Sequence, residues 1–110
     1  MDSREKQDRI LSAQIAGSAS RHAGVRGSLT ADARAAAVAE LAELAAGRSD
    51  LLARFAGMEV GLHEGDLDEE RRLLAAQLCI EAGADYSQIP YWIEEGRRRA
   101  RDIAQARRRA

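Results

Sequence analysis

The side chains best suited to binding chemistry lie between Gly83 and Arg99, in the stretch GADYSQIPYWIEEGRRR. This stretch contains the only tryptophan, the only proline and both tyrosines, and it leads into an arginine-rich end of the chain. Seven arginines in the last fifteen residues exceed what a helix C-terminus needs for capping. We therefore expect this end to contact phosphates or an acidic protein surface, and nothing in the stretch is a catalytic signature.

The side chains that could carry catalysis are dispersed. His22 and His63 are far apart in the sequence, and both are expected in loops. No HxxxH or CxxC spacing occurs, and no glycine-rich phosphate loop follows a strand. Adjacent carboxylates such as Glu94 and Glu95 point about 100° apart on a helix and do not form a catalytic pair. The sequence thus predicts a protein that is not an enzyme, with no catalytic, cofactor-binding or metal-binding residues.

Charge is distributed unevenly along the chain. Residues 1–95 contain ten Lys and Arg against seventeen Asp and Glu, which gives a net charge of −7. Residues 96–110 contain seven Arg against Asp102 alone, which gives a net charge of +6. Such a basic end on an acidic body can meet phosphates, an acidic protein or the body of a second copy.

The chain contains one cysteine, Cys79, so it cannot form an internal disulfide. Reduced thiols are typical of the cytoplasm. The N-terminus lacks an apolar run that fits a signal peptide, and no run approaches 18 apolar residues. We therefore expect a cytoplasmic protein that does not interact with a membrane.

The composition favours helices throughout, because Ala, Leu, Glu and Arg dominate while Val, Thr and Pro are scarce. Apolar periodicity predicts an all-α fold, a compact bundle of four to five helices with a long Arg-rich C-terminal helix. Residues 1–28 are expected to form an N-terminal helix to about residue 16 and then a flexible Gly/Ser linker. Residues 29–110 form the helical domain, and the C-terminal helix begins at about residue 87.

Two patterns concern helix packing. The helix after Ser49 contains Gly57 and Gly61 one turn apart, which indicates either close approach of another helix or a weak, bent helix end. The predicted helix over residues 67–82 has two adjacent apolar rows, so we expect it to be central. In the C-terminal helix an apolar stripe with helical spacing runs through Ile89, Ile93, Gly96, Ala100 and Ile103, with Trp92 beside its start.

Residues 73–99 resemble the helix-turn-helix of the excisionase type. In that family a glycine ends the first helix, a short polar turn follows, and an Ile or Val precedes a Trp by three residues. The matching residues are Gly83, Ala84, Ile89, Trp92, Ile93, Glu95, Gly96 and Arg97. The mercury-resistance-regulator type is similar at Gly83, Ile89, Tyr91, Glu95 and Gly96. The rest of the chain resembles small uncharacterised helical proteins of high-GC bacteria, a likeness that implies no function.

The helix-turn-helix resemblance implies a DNA-binding or regulatory protein whose second helix packs across the first and meets the major groove of duplex DNA. The residues that it implies as base-facing are Tyr86, Ser87, Gln88 and Tyr91. The residues that it implies as phosphate-binding are Arg97, Arg98, Arg99 and Arg101.

An ordinary helical hairpin would share most of these features, so a second hypothesis stays open. In it the C-terminal helix binds another protein or a second copy of the chain. The residues that this hypothesis uses are Trp92, Ile93, Ala100 and Ile103. DNA binding requires Ser87, Gln88 and Tyr91 to be exposed on one ridge, whereas the second hypothesis expects Tyr91 and Trp92 to be buried.

Overall fold

The computed structural model describes residues 2–24 and 29–109. Within these residues the chain forms five helices and no strand, which confirms the predicted all-α fold and the long C-terminal helix. None of the five combines the length and the apolarity needed to span a bilayer. The helices are α1 (Ser3–Ala23), α2 (Ala31–Ala45), α3 (Ser49–Glu64), α4 (Glu70–Glu81) and α5 (Ile89–Arg109).

Helix α1 is longer than the sequence pattern predicts. It continues through the Gly/Ser-rich stretch to Ala23, so the linker predicted from residue 17 does not begin there, and residues 25–28 lie outside the described part. Its second half is held by burial, since Ser18, Ala19 and Ala23 are all enclosed. Tertiary packing therefore outweighs the low helix propensity of this segment.

The expectation that the fourth helix is central holds only within the first four helices, because α3 is the helix that contacts all four others. Helix α4 packs against α1, α2 and α3, and it buries Ala75, Ala76, Leu78 and Cys79. Alanine is the most frequent of the other buried residues, and the largest fully buried side chains are Ile15, Leu41, Leu78 and Cys79. A core of such small residues requires helices to approach one another closely.

Helix α5 packs on α3 alone among the helices. No Cα atom of α1, α2 or α4 lies within 8 Å of a Cα atom of α5. The helix-turn-helix resemblance implied that α5 would cross α4, but in this structure α3 lies beneath it. The reason is the surface of α3, where glycines leave room for a second backbone.

The contact between α3 and α5 is a seam of small residues. A Cβ atom placed on Gly61 would lie 2.8 Å from both the Cα atom of Gly96 and the backbone nitrogen of Arg97. Gly57 lies beside Ile89, one turn earlier on both helices, and so the two helices run parallel. This geometry confirms the close approach that the spacing of Gly57 and Gly61 indicated.

Candidate nucleic-acid interface on helix α5

The turn before α5 is organised by Asp85. Its carboxylate accepts hydrogen bonds from the backbone nitrogen of Ser87 at 3.0 Å and from the Ser87 hydroxyl at 2.7 Å. It also accepts one from the Gln88 amide nitrogen at 3.1 Å. These bonds, those from Ser87 above all, hold the pKa of Asp85 below its usual value. Ser87 is exposed, but Gln88 is half-buried, and both side chains already have a partner within the turn.

Two tyrosines project from the start of α5. Tyr86 is 71% exposed and Tyr91 is 61% exposed. Tyr91 meets the half-buried Trp92 edge-on, with 4.9 Å between ring centroids, and the Arg54 guanidinium lies 4.9 Å above the Trp92 ring. Trp92 thus contacts both side chains, and Tyr91 is exposed as the first hypothesis requires, whereas the half-buried Gln88 does not meet that requirement.

The first two arginines of α5 are paired within the chain. Arg97 binds Glu64 of α3, with 2.9 Å from Nε to Oε2, and it also binds Glu94 one turn earlier on α5. These bonds, led by the one to Glu64, raise the pKa of Arg97. Arg98 binds Glu95 in the same way. Two of the four arginines predicted to hold phosphates thus have carboxylates beside them.

The remaining arginines of α5 are arranged differently. All of them are exposed, and no carboxylate oxygen among residues 2–24 and 29–109 lies within 4.0 Å of their guanidinium nitrogens. They are Arg99, Arg101, Arg107, Arg108 and Arg109. The last three were not among the predicted site residues. The pairing of Arg97 and Arg98 within α5 could be predicted from the sequence, because Glu94 and Glu95 precede them by three helical positions.

The residues of the second hypothesis face the body of the protein. Ala100 is completely buried, and its Cβ atom lies where a side chain on Gly65 would go. Ile93 is half-buried and packs against the hydrophobic core. Trp92 and Ile103 are also half-buried. Gly57, Gly61 and Gly65 lie against this stripe from Trp92 to Ala100, which covers that part of it within the chain.

The two histidines contact carboxylates within the chain, and the cysteine is buried. Both histidines lie on helices, which corrects the expectation of loops: His22 binds Glu40 across α1 and α2, and His63 lies 2.7 Å from Asp68. Burial raises the pKa of the Cys79 thiol to about 12 and so suppresses the nucleophilic thiolate. Within the described parts of the chain, no three His, Cys, Asp or Glu side chains are grouped to hold a metal ion.

No protein-family model matches the chain, and neither a curated protein nor a solved structure matches it. The features that bear on function are the surface of α5 and the sequence resemblance of residues 73–99. On that surface, exposed tyrosines at the start of the helix precede exposed arginines that have no carboxylate partner among the described residues.

Proposed function

We propose that this chain is a small, cytoplasmic, non-enzymatic binding protein that contacts duplex DNA through α5 and the turn before it. One observation carries the proposal: five exposed arginines of α5 have no carboxylate partner in the described residues, on the helix whose start exposes Tyr86, Ser87 and Tyr91. An exposed guanidinium without an internal partner is available to phosphate. The cytoplasmic location rests on the single cysteine.

The outward face of α5 has a length that suits a duplex. Tyr91, Arg98, Gln105 and Arg109 follow one another at intervals of seven, seven and four residues, so they share the face opposite the seam. At 1.5 Å per residue this face is about 27 Å long, which corresponds to about eight base pairs. Of the arginines without a carboxylate partner among the described residues, only Arg109 lies on this face, so the other phosphate contacts must come from arginines at its edges.

The distribution of charge along α5 determines whether phosphates or base edges contribute more to the affinity for DNA. The carboxylates of Glu94 and Glu95 partly neutralise the start of the helix, whereas the unpaired arginines concentrate positive charge toward its end. Affinity should therefore come mainly from phosphates and depend strongly on salt. The exposed Ser87 and Tyr91 would add a smaller contribution from base edges.

The test is a fluorescence-anisotropy titration of a labelled duplex of about 20 base pairs at low and moderate salt. The exposed arginines point to different sides of α5, so five phosphate contacts are the upper limit; they would give a slope of about −4.5 for log affinity against log salt, which is a loss of several hundred-fold between about 50 and 200 mM. Replacing Arg108→Gln together with Arg109→Gln should reduce the slope by about 1.8. Absence of binding even at low salt would eliminate the proposal.

A matched control removes two positive charges from another exposed helix. Arg4→Gln with Lys6→Gln changes the net charge equally, but α1 does not touch α5. This variant should bind with nearly the wild-type slope. An equal loss of slope in both double variants would mean that net charge, not the surface of α5, governs binding.

The alternative, a protein partner held by the apolar stripe of α5, has less support. Ala100 is enclosed by the chain itself, and Ile93 packs against the core. Using them would require α5 to leave α3, and it would expose the glycines of the seam.

A further inference from the structure

A groove of about 960 Å³ opens over α3, between α1 and α5. Both helices contact α3 but not each other, so part of the α3 surface is covered by neither. Phe55 and Met58 lie in this part and are only half-buried. Ala13 and Ala16 of α1 continue the apolar lining on one side. The groove is therefore open, apolar at its base and bordered by helices, which is the setting in which an additional helix packs.

The rim of the groove carries unpaired positive charge. Arg9 of α1, Arg54 of α3 and Arg99 of α5 line it, and none of the three has a carboxylate oxygen within 4.0 Å among the residues described. Of the two carboxylates in the lining, Asp8 is already bound by Arg48 and only Glu5 remains. The groove thus suits a helix that combines an apolar face with an acidic flank.

The chain itself exposes such a helix. On α2 a stripe of small residues faces solvent at helical spacing and forms a shallow, mostly apolar surface together with the half-buried Val38. The stripe consists of Ala31, Ala35, Ala39 and Ala42. Asp32 and Glu43 lie along one flank of this stripe, are exposed, and have no cationic nitrogen within 4.0 Å in the described part of the chain.

We propose that α2 of a second copy of this chain occupies the groove, with its alanine stripe on Phe55 and Met58 and its acidic flank against Arg54 and Arg99. Alanines allow a helix to approach the floor closely, and opposite charges on the two surfaces determine the orientation. The donor helix and the groove are different surfaces of one chain. Association is therefore either a reciprocal two-fold dimer, in which each copy fills the groove of the other, or a head-to-tail chain.

Sedimentation equilibrium of the full chain, over protein concentrations from about 10 μM to 1 mM, tests this proposal. The average mass at low salt should rise with concentration above the 12.0 kDa of one chain, and it should fall back as salt screens the rim charges. A mass that stays at 12.0 kDa at every concentration and at low salt overturns the proposal.

Charge reversal identifies the surfaces. Arg54→Glu with Arg99→Glu reverses the charge of the groove and also removes the contact of Arg54 with Trp92, and Asp32→Lys with Glu43→Lys reverses the charge of the donor helix. Each double variant alone should associate at least tenfold more weakly than the wild type. An equimolar mixture should recover association, because a native acidic flank then meets a native basic rim. Recovery would also show that both variants fold.

Arg101→Glu is the matched control, because Arg101 is exposed on the same helix as Arg99 but does not line the groove. It should associate like the wild type. Double variants that associate as strongly as the wild type, or a mixture that remains as weak as its components, overturn the assignment. Arg99 belongs to both proposed surfaces, whereas Asp32 and Glu43 lie outside the proposed DNA interface, so the Asp32→Lys with Glu43→Lys variant separates self-association from DNA binding.

Discussion

Replacing Gly61 by alanine should destabilise the protein, although alanine is the better helix former. A Cβ atom on Gly61 would lie 2.8 Å from both the Arg97 nitrogen and the Gly96 Cα atom, and closer still to the Ile93 carbonyl oxygen. Ordinary contacts of a Cβ atom begin at 3.4 Å. All three obstacles belong to backbone, so no change of side-chain rotamer relieves the clash. Helix α5 must therefore move away from α3 by more than about half an ångström.

The magnitude follows from two opposing effects. Overpacking of a rigid contact costs about 1–3 kcal/mol, and three backbone clashes justify the upper end of that range. Alanine has a higher helix propensity than glycine, which offsets about 1 kcal/mol of this cost. The net loss is about 2 kcal/mol of unfolding free energy, roughly thirtyfold in the equilibrium constant. For a chain of 110 residues this corresponds to a Tm lower by about 9 °C.

Gly17→Ala is the matched control. Gly17 lies within α1, and a Cβ atom there would have no atom within 4 Å, so only the propensity effect remains. This variant should be about 1 kcal/mol more stable than the wild type. Urea unfolding followed by circular dichroism and by Trp92 fluorescence measures both changes. If Gly61→Ala is as stable as the wild type, or if the two variants shift in the same direction, the reasoning about the seam is refuted.

Three further predictions concern the packing of α1, α3 and α4. The Arg48 guanidinium lowers the pKa of Asp8 and of Asp50. The two ion pairs therefore stabilise the folded protein at pH values above 3.8, the usual pKa of these carboxyl groups. This stabilisation is lost as the pH falls through the lowered pKa values. Urea midpoints of the wild type should therefore fall more steeply below about pH 4 than those of Arg48→Ala, and parallel curves would contradict this. Glu59→Gln removes the closer of the two acidic partners of Arg72 on α4, the other being Glu69 at 3.6 Å, and should cost about 1 kcal/mol in urea unfolding, whereas an unchanged midpoint would argue against the pair. The Cys79 thiol should react with an aromatic disulfide reagent only after unfolding, and rapid reaction of the native protein would contradict its burial.

The helices themselves were largely predictable, because apolar residues recur with helical spacing. The two apolar rows of α4 indicated its contacts with three helices but not that α3 is the helix that contacts all four others. The end of α1 was not predictable, since Gly17 and Ser18 are typical of a linker in sequence. Only the burial of Ala19 and Ala23 against other helices keeps that segment helical. Such contacts between distant parts of the chain leave no local pattern.

The candidate interface was only partly predictable, because it too depends on contacts between distant parts of the chain. The apolar stripe of α5 indicated which face is buried, and Gly57 and Gly61 indicated that some helix approaches α3. Neither pattern indicates which two helices pack together. The expectation that α5 crosses α4 therefore came from the family resemblance alone. Pairing within α5 follows from local spacing, whereas the bond from Arg97 to Glu64, 33 residues away, requires the folded structure.

The most direct test of the account is whether α5 lies on α3 through the glycine seam, because this packing determines which side chains of α5 face outward. Nuclear Overhauser effects in the uniformly labelled protein measure it. The account predicts a strong cross-peak between the α-protons of Gly61 and Gly96, whose backbones are in contact. Absence of that cross-peak, with cross-peaks instead between side chains of α4 and α5 such as Leu78 and Ile93, would contradict it.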